Sequence, residues 1–240
     1  MKIMSLFAEK QANPDTAKIP TLAFLGDSVT QGCFEIYLDT QGKIQTVFDK
    51  TKVYHTRLTE ILSVLYPSVP VNVINAGISG DSSGKGVARL ERDVLFYRPD
   101  LTVVSFGLND SNHGAAGIEN YRRNMETIFE RLTESGSEVI FMTANMMNTS
   151  ISHRIKEESI LRVAEKTMLH QTDGTLDAYF EAGKQAAQKY GVAICDAYAK
   201  WKRLSKNGVD VTALLSNDIN HPIPEMHYLF ATSLLETMMQ

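Results

Sequence analysis

Cysteine is scarce in this sequence: Cys33 and Cys195 are the only two. They have no Cys-x-x-Cys spacing, so no disulfide framework or redox motif is indicated, and both read as free thiols in a reducing compartment. No apolar run approaches the length of a membrane span. Met1 to Pro20 lacks a long apolar core and carries Lys10, Pro14 and Asp15, which excludes a secretory-signal reading. Lys/Arg blocks are also missing and the net charge is −4, which disfavours a nucleic-acid partner. There is no repeat, no low-complexity tract and no linker rich in Pro, Gly or Ser. These absences predict a cytoplasmic protein and one domain over 1–240, with 1–19 as an N-terminal extension.

What is present is ordinary globular composition. The 240 residues are 43% hydrophobic and 22% charged. A chain of that size buries a substantial core without a metal or disulfide staple. Five short apolar runs recur, at Thr21–Leu25, Val71–Ile74, Leu101–Phe106, Glu138–Thr143 and Val192–Cys195. They do not alternate apolar with polar, which suits strands covered on both faces.

Helical stripes lie between the runs. Leu58, Ile61, Leu62 and Leu65 end at Pro67, and Val87, Leu90 and Val94 end at Pro99. Ile118 to Leu132 is closed by Gly136, and Leu176 to Tyr190 by Gly191. A terminal helix is expected from Met226 to Met238. Strand and helix alternate, so the fold class is α/β: a three-layer fold with a parallel sheet. Two segments break the alternation. Residues 33–54 read as a β-hairpin, with Phe34–Leu38 and Ile44–Phe48 flanking Asp39-Thr40-Gln41-Gly42. Residues 145–173 form a long polar insertion with a helix around 156–168.

The chemistry-bearing stretches sit at the ends of these strands. Gly26-Asp27-Ser28-Val29-Thr30-Gln31-Gly32 follows the first, and parallel sheets bind ligands at that edge. It has neither G-x-G-x-x-G nor a Gly-Lys-Ser/Thr ending, so it is no phosphate loop. Position 30 is Thr, so it is not a G-x-S-x-G elbow either. A nucleophilic Ser28 needs a base, a residue to orient that base, and oxyanion donors. His221 is the base candidate. Asp218, three residues earlier, is spaced to reach Nδ1 in a tight turn and leave Nε2 for the Ser28 proton. Gly80 in Asn75-Ala76-Gly77-Ile78-Ser79-Gly80-Asp81 offers a backbone N–H unshielded by a Cβ. Asn109 in Gly107-Leu108-Asn109-Asp110 offers an amide, and Ser28 its own N–H at a helix start. Taken singly, each stretch also reads as an ordinary turn.

Together, and in this order, the four stretches resemble the blocks of the SGNH (GDSL) hydrolase family, over nearly the whole chain from about Pro20. The resemblance implies a flavodoxin-like sandwich with five parallel strands and helices on both faces, and serine hydrolysis of small esters or thioesters. It implies Ser28, Asp218 and His221 as the triad, and Ser28, Gly80 and Asn109 as the oxyanion hole. Serine chemistry needs no metal, and no cofactor is expected. Three features depart from the family pattern. Asn220 stands where an apolar residue usually precedes the His, the 33–54 hairpin intervenes after the nucleophile, and 145–173 is longer than a minimal member needs.

The expected substrate is a short acyl ester, such as an acetyl group on a sugar or other polar alcohol. The alternative is a thioesterase or lysophospholipase with a longer slot lined by Met142, Met146 and Met147. A third reading is a non-enzymatic binder on the same scaffold, against which the set Ser28, Asp218 and His221 argues. The hairpin selects substrate or joins two copies into a homo-oligomer, and both roles stand open. His227 is read as structural, His113 as a surface-loop residue, and Cys33 as a small buried apolar residue. His55, His153 and His170 lack metal-ligand spacing. Asp27, Asp81 and Asp110 raise the thought of a divalent cation, but bonding to loop amides is the preferred reading.

Overall fold

The computed structural model describes the backbone of residues 1–240 and every side chain but that of residue 44. In chain order the first half contains α1 (Lys2–Ala12), β1 (Thr21–Gly26), α2 (Ser28–Gln31), β2 (Cys33–Leu38), β3 (Ile44–Phe48), α3 (Tyr54–Leu65), β4 (Asn72–Gly77) and α4 (Ser83–Asp93). The second half contains β5 (Leu101–Ser105), α5 (Ile118–Glu134), β6 (Glu138–Met142), α6 (Glu158–Thr172), α7 (Thr175–Lys189), β7 (Ala193–Cys195), α8 (Ala197–Lys206) and α9 (His227–Met238).

The five non-alternating runs form one parallel sheet in the order β4-β1-β5-β6-β7. β1 and β5 are buried at every position, as continuous apolar strands require. β4 differs. It is an edge strand, so Asn72 and Val73 face solvent and only Ala76 and Gly77 are buried. Helices cover both faces: α4 packs on α5 and α5 on α7, while α3 packs on α9. One cluster of buried apolar side chains runs from Ile3 to Met238.

The register matters for function. Gly26 of β1 pairs with Gly77 of β4 and with Ser105 of β5, so three neighbouring strands end level. The loops after them therefore leave from one edge, and these loops carry Ser28, Gly80 and Asn109.

The N-terminal residues are more than an extension. Ile3 and Phe7 of α1 belong to the main core. The Glu138 carboxylate accepts the N–H groups of Lys2 (2.9 Å) and Ile3 (2.7 Å), satisfying donors that a helix start leaves open. With only Ile3, Phe7 and Lys10 turned inward, the stripe is short, so its periodicity is faint in the sequence.

The hairpin forms as expected, as a separate antiparallel pair of β2 and β3. Ile36 and Leu38 pack with Ile151 and Ile155 against a small second core of Ile160, Ala164 and Ile219. The hairpin and the 145–173 insertion thus share an apolar seam, and Ile219 brings the loop before His221 into it.

Two glycines are required by contact rather than by turn geometry. At Gly26, which the sequence marks as a turn residue, a Cβ would stand 2.1 Å from Thr30 Oγ1 and 2.8 Å from the Ser105 carbonyl. At Gly77 a Cβ would stand 2.3 Å from the Gln31 nitrogen, so β4 presses directly on α2. Gly77→Ala is therefore expected to cost about 1–3 kcal/mol of stability through overpacking. Urea unfolding checks this, and a variant with unchanged stability would show that α2 gives way freely.

Candidate active site

Ser28 is the first residue of α2, and its position follows from local capping. The Asp27 carboxylate accepts the Val29 N–H at 3.0 Å, which starts the four-residue helix. Gly32, at φ 92°, ends it, and Asp49 N–H donates to the Gly32 carbonyl at 2.9 Å, folding the hairpin back to its root. Ser28 Oγ lies 2.8 Å from His221 Nε2, across 193 residues of sequence. Both residues are only 5% exposed. The two residues that the sequence pairs are in hydrogen-bond contact here.

The His221 loop is shaped by Asn217. Its Oδ1 accepts the N–H groups of Ile219, Asn220 and His221 at 3.1, 3.0 and 3.0 Å. That commitment orients the amide, because a flipped NH2 would face three donors. Its Nδ2 therefore lies 3.2 Å from His221 Nδ1, and it also donates to Asn220 Oδ1 at 2.9 Å. The loop is held from outside as well. Asn145 Nδ2 donates to the Asn220 carbonyl at 2.8 Å, and Asn148 N–H to the Ile219 carbonyl at 2.8 Å. Burial pushes the His221 pKa down to about 4, against the opposing pull of the Phe34 carbonyl.

Asp218 does not stand where the spacing places it. Its carboxylate is ion-paired with Arg154 of the insertion, and no hydrogen bond joins it to the imidazole among the described residues. Nδ1 faces Asn217 Nδ2 and, at 3.8 Å, Cys33 Sγ. The backbone at Asp218 is left-handed, with φ 58°, a conformation Asp tolerates better than most residues. Counting three residues back from His221 locates the carboxylate in the right loop. It does not fix which way the side chain turns, because the competing cation is 64 residues away.

The oxyanion candidates are held to Ser28 by a network the sequence does not announce. Arg89 of α4 is buried, although it lies on a helix whose apolar stripe is Val87, Leu90 and Val94. Its guanidinium donates to the Ala76 carbonyl (2.6 Å), the Gly26 carbonyl (2.9 Å) and the Asp81 carboxylate (2.7 Å). One side chain thus ties the ends of β1 and β4 to the loop containing Gly80. Ile78 N–H to the Gly26 carbonyl (3.1 Å) and Ser79 N–H to Gln31 Oε1 (2.6 Å) add two more ties. Gly80 adopts φ 76°, open space surrounds its Cβ direction, and its N–H has no protein partner among the described residues. Asn109 Nδ2 donates one N–H to the Asp81 carbonyl at 2.9 Å, leaving the other uncommitted.

The remaining residues fall into place around these. Asp110 accepts Ser83 N–H and Oγ–H, and Asp81 pairs with Arg89 and with Lys85, so the loop carboxylates bond loop and helix groups. Burial pushes the Asp27 pKa up to about 7, with Asp110 and Asp81 adding repulsion. His227 Nδ1 accepts the Tyr54 N–H at 3.0 Å at the start of α3. Cys33 is fully buried and its thiol is pushed up to about 11 by that burial. Its contact with the catalytic-loop imidazole was not legible from sequence. Met142, Met146 and Met147 are packed in the main core rather than around an open slot. His113 lines a cavity of about 330 Å³ with Ser82, Asp110 and Asn124. A cavity of about 250 Å³ lies between hairpin and insertion, lined by Glu35, Tyr37, Arg154, Glu157, Asn217 and Asp218 among others. No helix among the described residues is long and apolar enough to cross a membrane.

A three-layer α/β sandwich with a buried Ser–His pair at the carboxyl edge of its sheet defines the class: a serine-hydrolase scaffold of the SGNH type. The model of the GDSL-like lipase/acylhydrolase family matches residues 24–229, and the chain belongs to that family. Among curated relatives, an acetylxylan esterase of Geobacillus stearothermophilus is 32% identical over 89 residues, covering 37% of this chain and 39% of that protein. An arylesterase of Vibrio mimicus is 35% identical over 72 residues, 30% of this chain and 36% of that protein. Each of these alignments spans little more than a third of the relative's length. The solved structure of Axe2, an acetylxylan esterase from Geobacillus stearothermophilus, shares the fold with a TM-score of 0.66 at 22% identity, over 91% of this chain and 94% of that one.

Two outcomes follow from the electrostatics. Arg89→Met leaves the Asp81 carboxylate buried beside only Lys85, and is expected to cost about 3–5 kcal/mol in denaturant unfolding. A loss under about 1 kcal/mol would remove Arg89 from its tying role. Asp27 works in the opposite sense to most carboxylates. Its folded pKa is raised to about 7 from an ordinary 3.8, so the folded state holds its proton more tightly than the unfolded chain. The resulting stability is full below about 4 and is lost as pH rises to about 7. Asp27→Asn should flatten that part of the stability–pH curve and raise stability relative to wild type at pH 8, on the order of 1–4 kcal/mol. An unchanged curve would show that Asp27 is ionised throughout.

Proposed function

We infer that this chain is a serine ester hydrolase for short acyl groups, acting on an acetyl ester of a sugar or another polar alcohol. The observation that carries the reading is the 2.8 Å contact between Ser28 Oγ and His221 Nε2 in a nearly solvent-free setting. In this mechanism Ser28 Oγ attacks the ester carbonyl as its proton passes to His221 Nε2. The imidazolium then protonates the leaving alcohol, and water, activated by the same nitrogen, hydrolyses the acyl-enzyme. The N–H groups of Ser28 and Gly80 and the free amide N–H of Asn109 receive the oxyanion. Asp218 acts as the third member when its carboxylate accepts from His221 Nδ1.

The short-acyl assignment is supported by three observations. The methionines that would form a long acyl slot are in the core. The cavity beside the catalytic loop is lined largely by charged and polar groups from the hairpin and the insertion, which suits a hydroxyl-rich alcohol. A relative named as an acetylxylan esterase points the same way. The hairpin, with its Ile36 and Leu38 face taken by the insertion, is read as a selector of the alcohol. A cytoplasmic setting suits two buried free thiols.

Assay of p-nitrophenyl acetate tests the reading. Ser28→Ala and His221→Ala should each lower kcat by on the order of 10⁴ or more, and Asn109→Ala by about 10²–10³. Full activity in a Ser28→Ala protein would end the assignment. Across p-nitrophenyl esters of increasing chain length, kcat/KM should drop steeply beyond butyrate, and a rise would favour a lipase-like slot instead.

A further inference from the structure

We propose that Arg154 is a positioning residue that competes with His221 for the Asp218 carboxylate, so that the Asp–His pair assembles only when the guanidinium moves to another partner. The inference rests on the reading of Ser28 and His221 as nucleophile and base. It adds a residue from the 145–173 insertion that controls their third partner.

Three features of the site converge on it. First, Asp218 is nearly buried, with 9% of its side chain exposed, and its carboxylate is committed to Arg154. Second, the place Asp218 would fill is taken by a donor. Asn217 Nδ2 lies 3.2 Å from His221 Nδ1, and its orientation is set by the three backbone N–H groups on Oδ1. A donor at Nδ1 favours the tautomer with its proton on Nε2, which then donates to Ser28 instead of accepting from it. A carboxylate at Nδ1 sets the opposite tautomer and frees Nε2 to act as base. The arrangement with Arg154 on Asp218 is therefore a resting one.

Third, Arg154 has somewhere to go. Its side chain is 59% exposed. Glu35 of the hairpin and Glu157 of the insertion line the same 250 Å³ cavity, and neither is in an ion pair among the described residues. On its other side Arg154 borders a cavity of about 520 Å³ that also contains Asp210. Solvent around the exposed guanidinium screens the pair from that side and lowers the cost of exchanging one carboxylate for another. Two side-chain movements are thus required: the Arg154 cation passes to one of the carboxylates around it, and the released Asp218 carboxylate displaces the Asn217 amide from Nδ1.

The experiment is steady-state hydrolysis of p-nitrophenyl acetate as a function of pH by wild type, Arg154→Ala, Asp218→Asn and the double variant. Arg154→Ala should raise kcat/KM about fivefold, the scale of one half-exposed ion pair. Its acid limb should also move upward from about 4 toward the ordinary 6.5, because a carboxylate at Nδ1 stabilises the imidazolium. The other titratable groups facing the ring, Cys33 of β2 and His227 of α9, titrate outside that window, at about 11 and about 3. In the Asp218→Asn background the Arg154 substitution should change nothing. Higher ionic strength should speed the wild type but not Arg154→Ala.

The proposal is overturned if folded Arg154→Ala, with wild-type melting, is no faster than wild type and keeps its acid limb. An equal gain in the Asp218→Asn background would overturn it too. Ser28→Ala separates the two levels: hydrolysis that survives it removes the underlying reading, whereas its loss alongside an unresponsive Arg154→Ala removes only the latch.

Discussion

The arrangement of the site depends on one buried cation. Arg89 sits away from water, and a guanidinium there is tolerated only with its donors satisfied and a countercharge close by. It meets that demand with the carbonyls of Gly26 and Ala76 and the carboxylate of Asp81. These acceptors belong to β1, its neighbour β4 and the Gly80 loop. The electrostatic need of one side chain therefore fixes the spacing of two loops. Asn109, donating to the Asp81 carbonyl, brings the third loop into the same frame. Gly26 and Gly77 complete it sterically, since neither can carry a Cβ without pushing α2 aside.

The same exclusion of water sets the chemistry. Ser28 and His221 are almost completely covered, and burial alone keeps the imidazole neutral well below the usual range. A neutral imidazole can serve as a base, but its tautomer decides whether it does. At present Nδ1 faces an amide donor and the carboxylate faces an arginine. The His221 loop is thus assembled from two sources: a rigid part, in which Asn217, Asn145 and Asn148 tie residues 217–221, and an ionic part that involves the exposed Arg154. The hairpin and insertion, joined by the seam around Ile160 and Ile219, bring the ionic part to the mouth of the site.

Much of this was legible beforehand, for identifiable reasons. β1 and β5, buried on both faces, read as unbroken apolar runs, and the partly exposed edge strands β4 and β7 still carried short apolar runs, so all five were visible; the level ends of β1, β4 and β5 bring the loops of Ser28, Gly80 and Asn109 to one edge. The hairpin showed itself through two β-rich runs around a turn tetrad. What stayed hidden were interactions with little local signal. α1 turns only three residues inward. Arg89 looks like a surface arginine until the strand ends above it are known. Cys33 meets His221 across 188 residues, and Arg154 reaches Asp218 from an insertion with no periodic relation to it.

The sequence by itself determined the layer order, the edge at which the loops gather, and the polar residue types those loops carry. Hydrophobic period and turn chemistry are local properties, and they survive without knowledge of the partner. Only the tertiary structure decided which way Asp218 turns, what stands on Nδ1, and which cation binds the strand ends together. Those are contests between groups far apart in the chain. Their outcome depends on distance and burial, which exist only once the chain has folded.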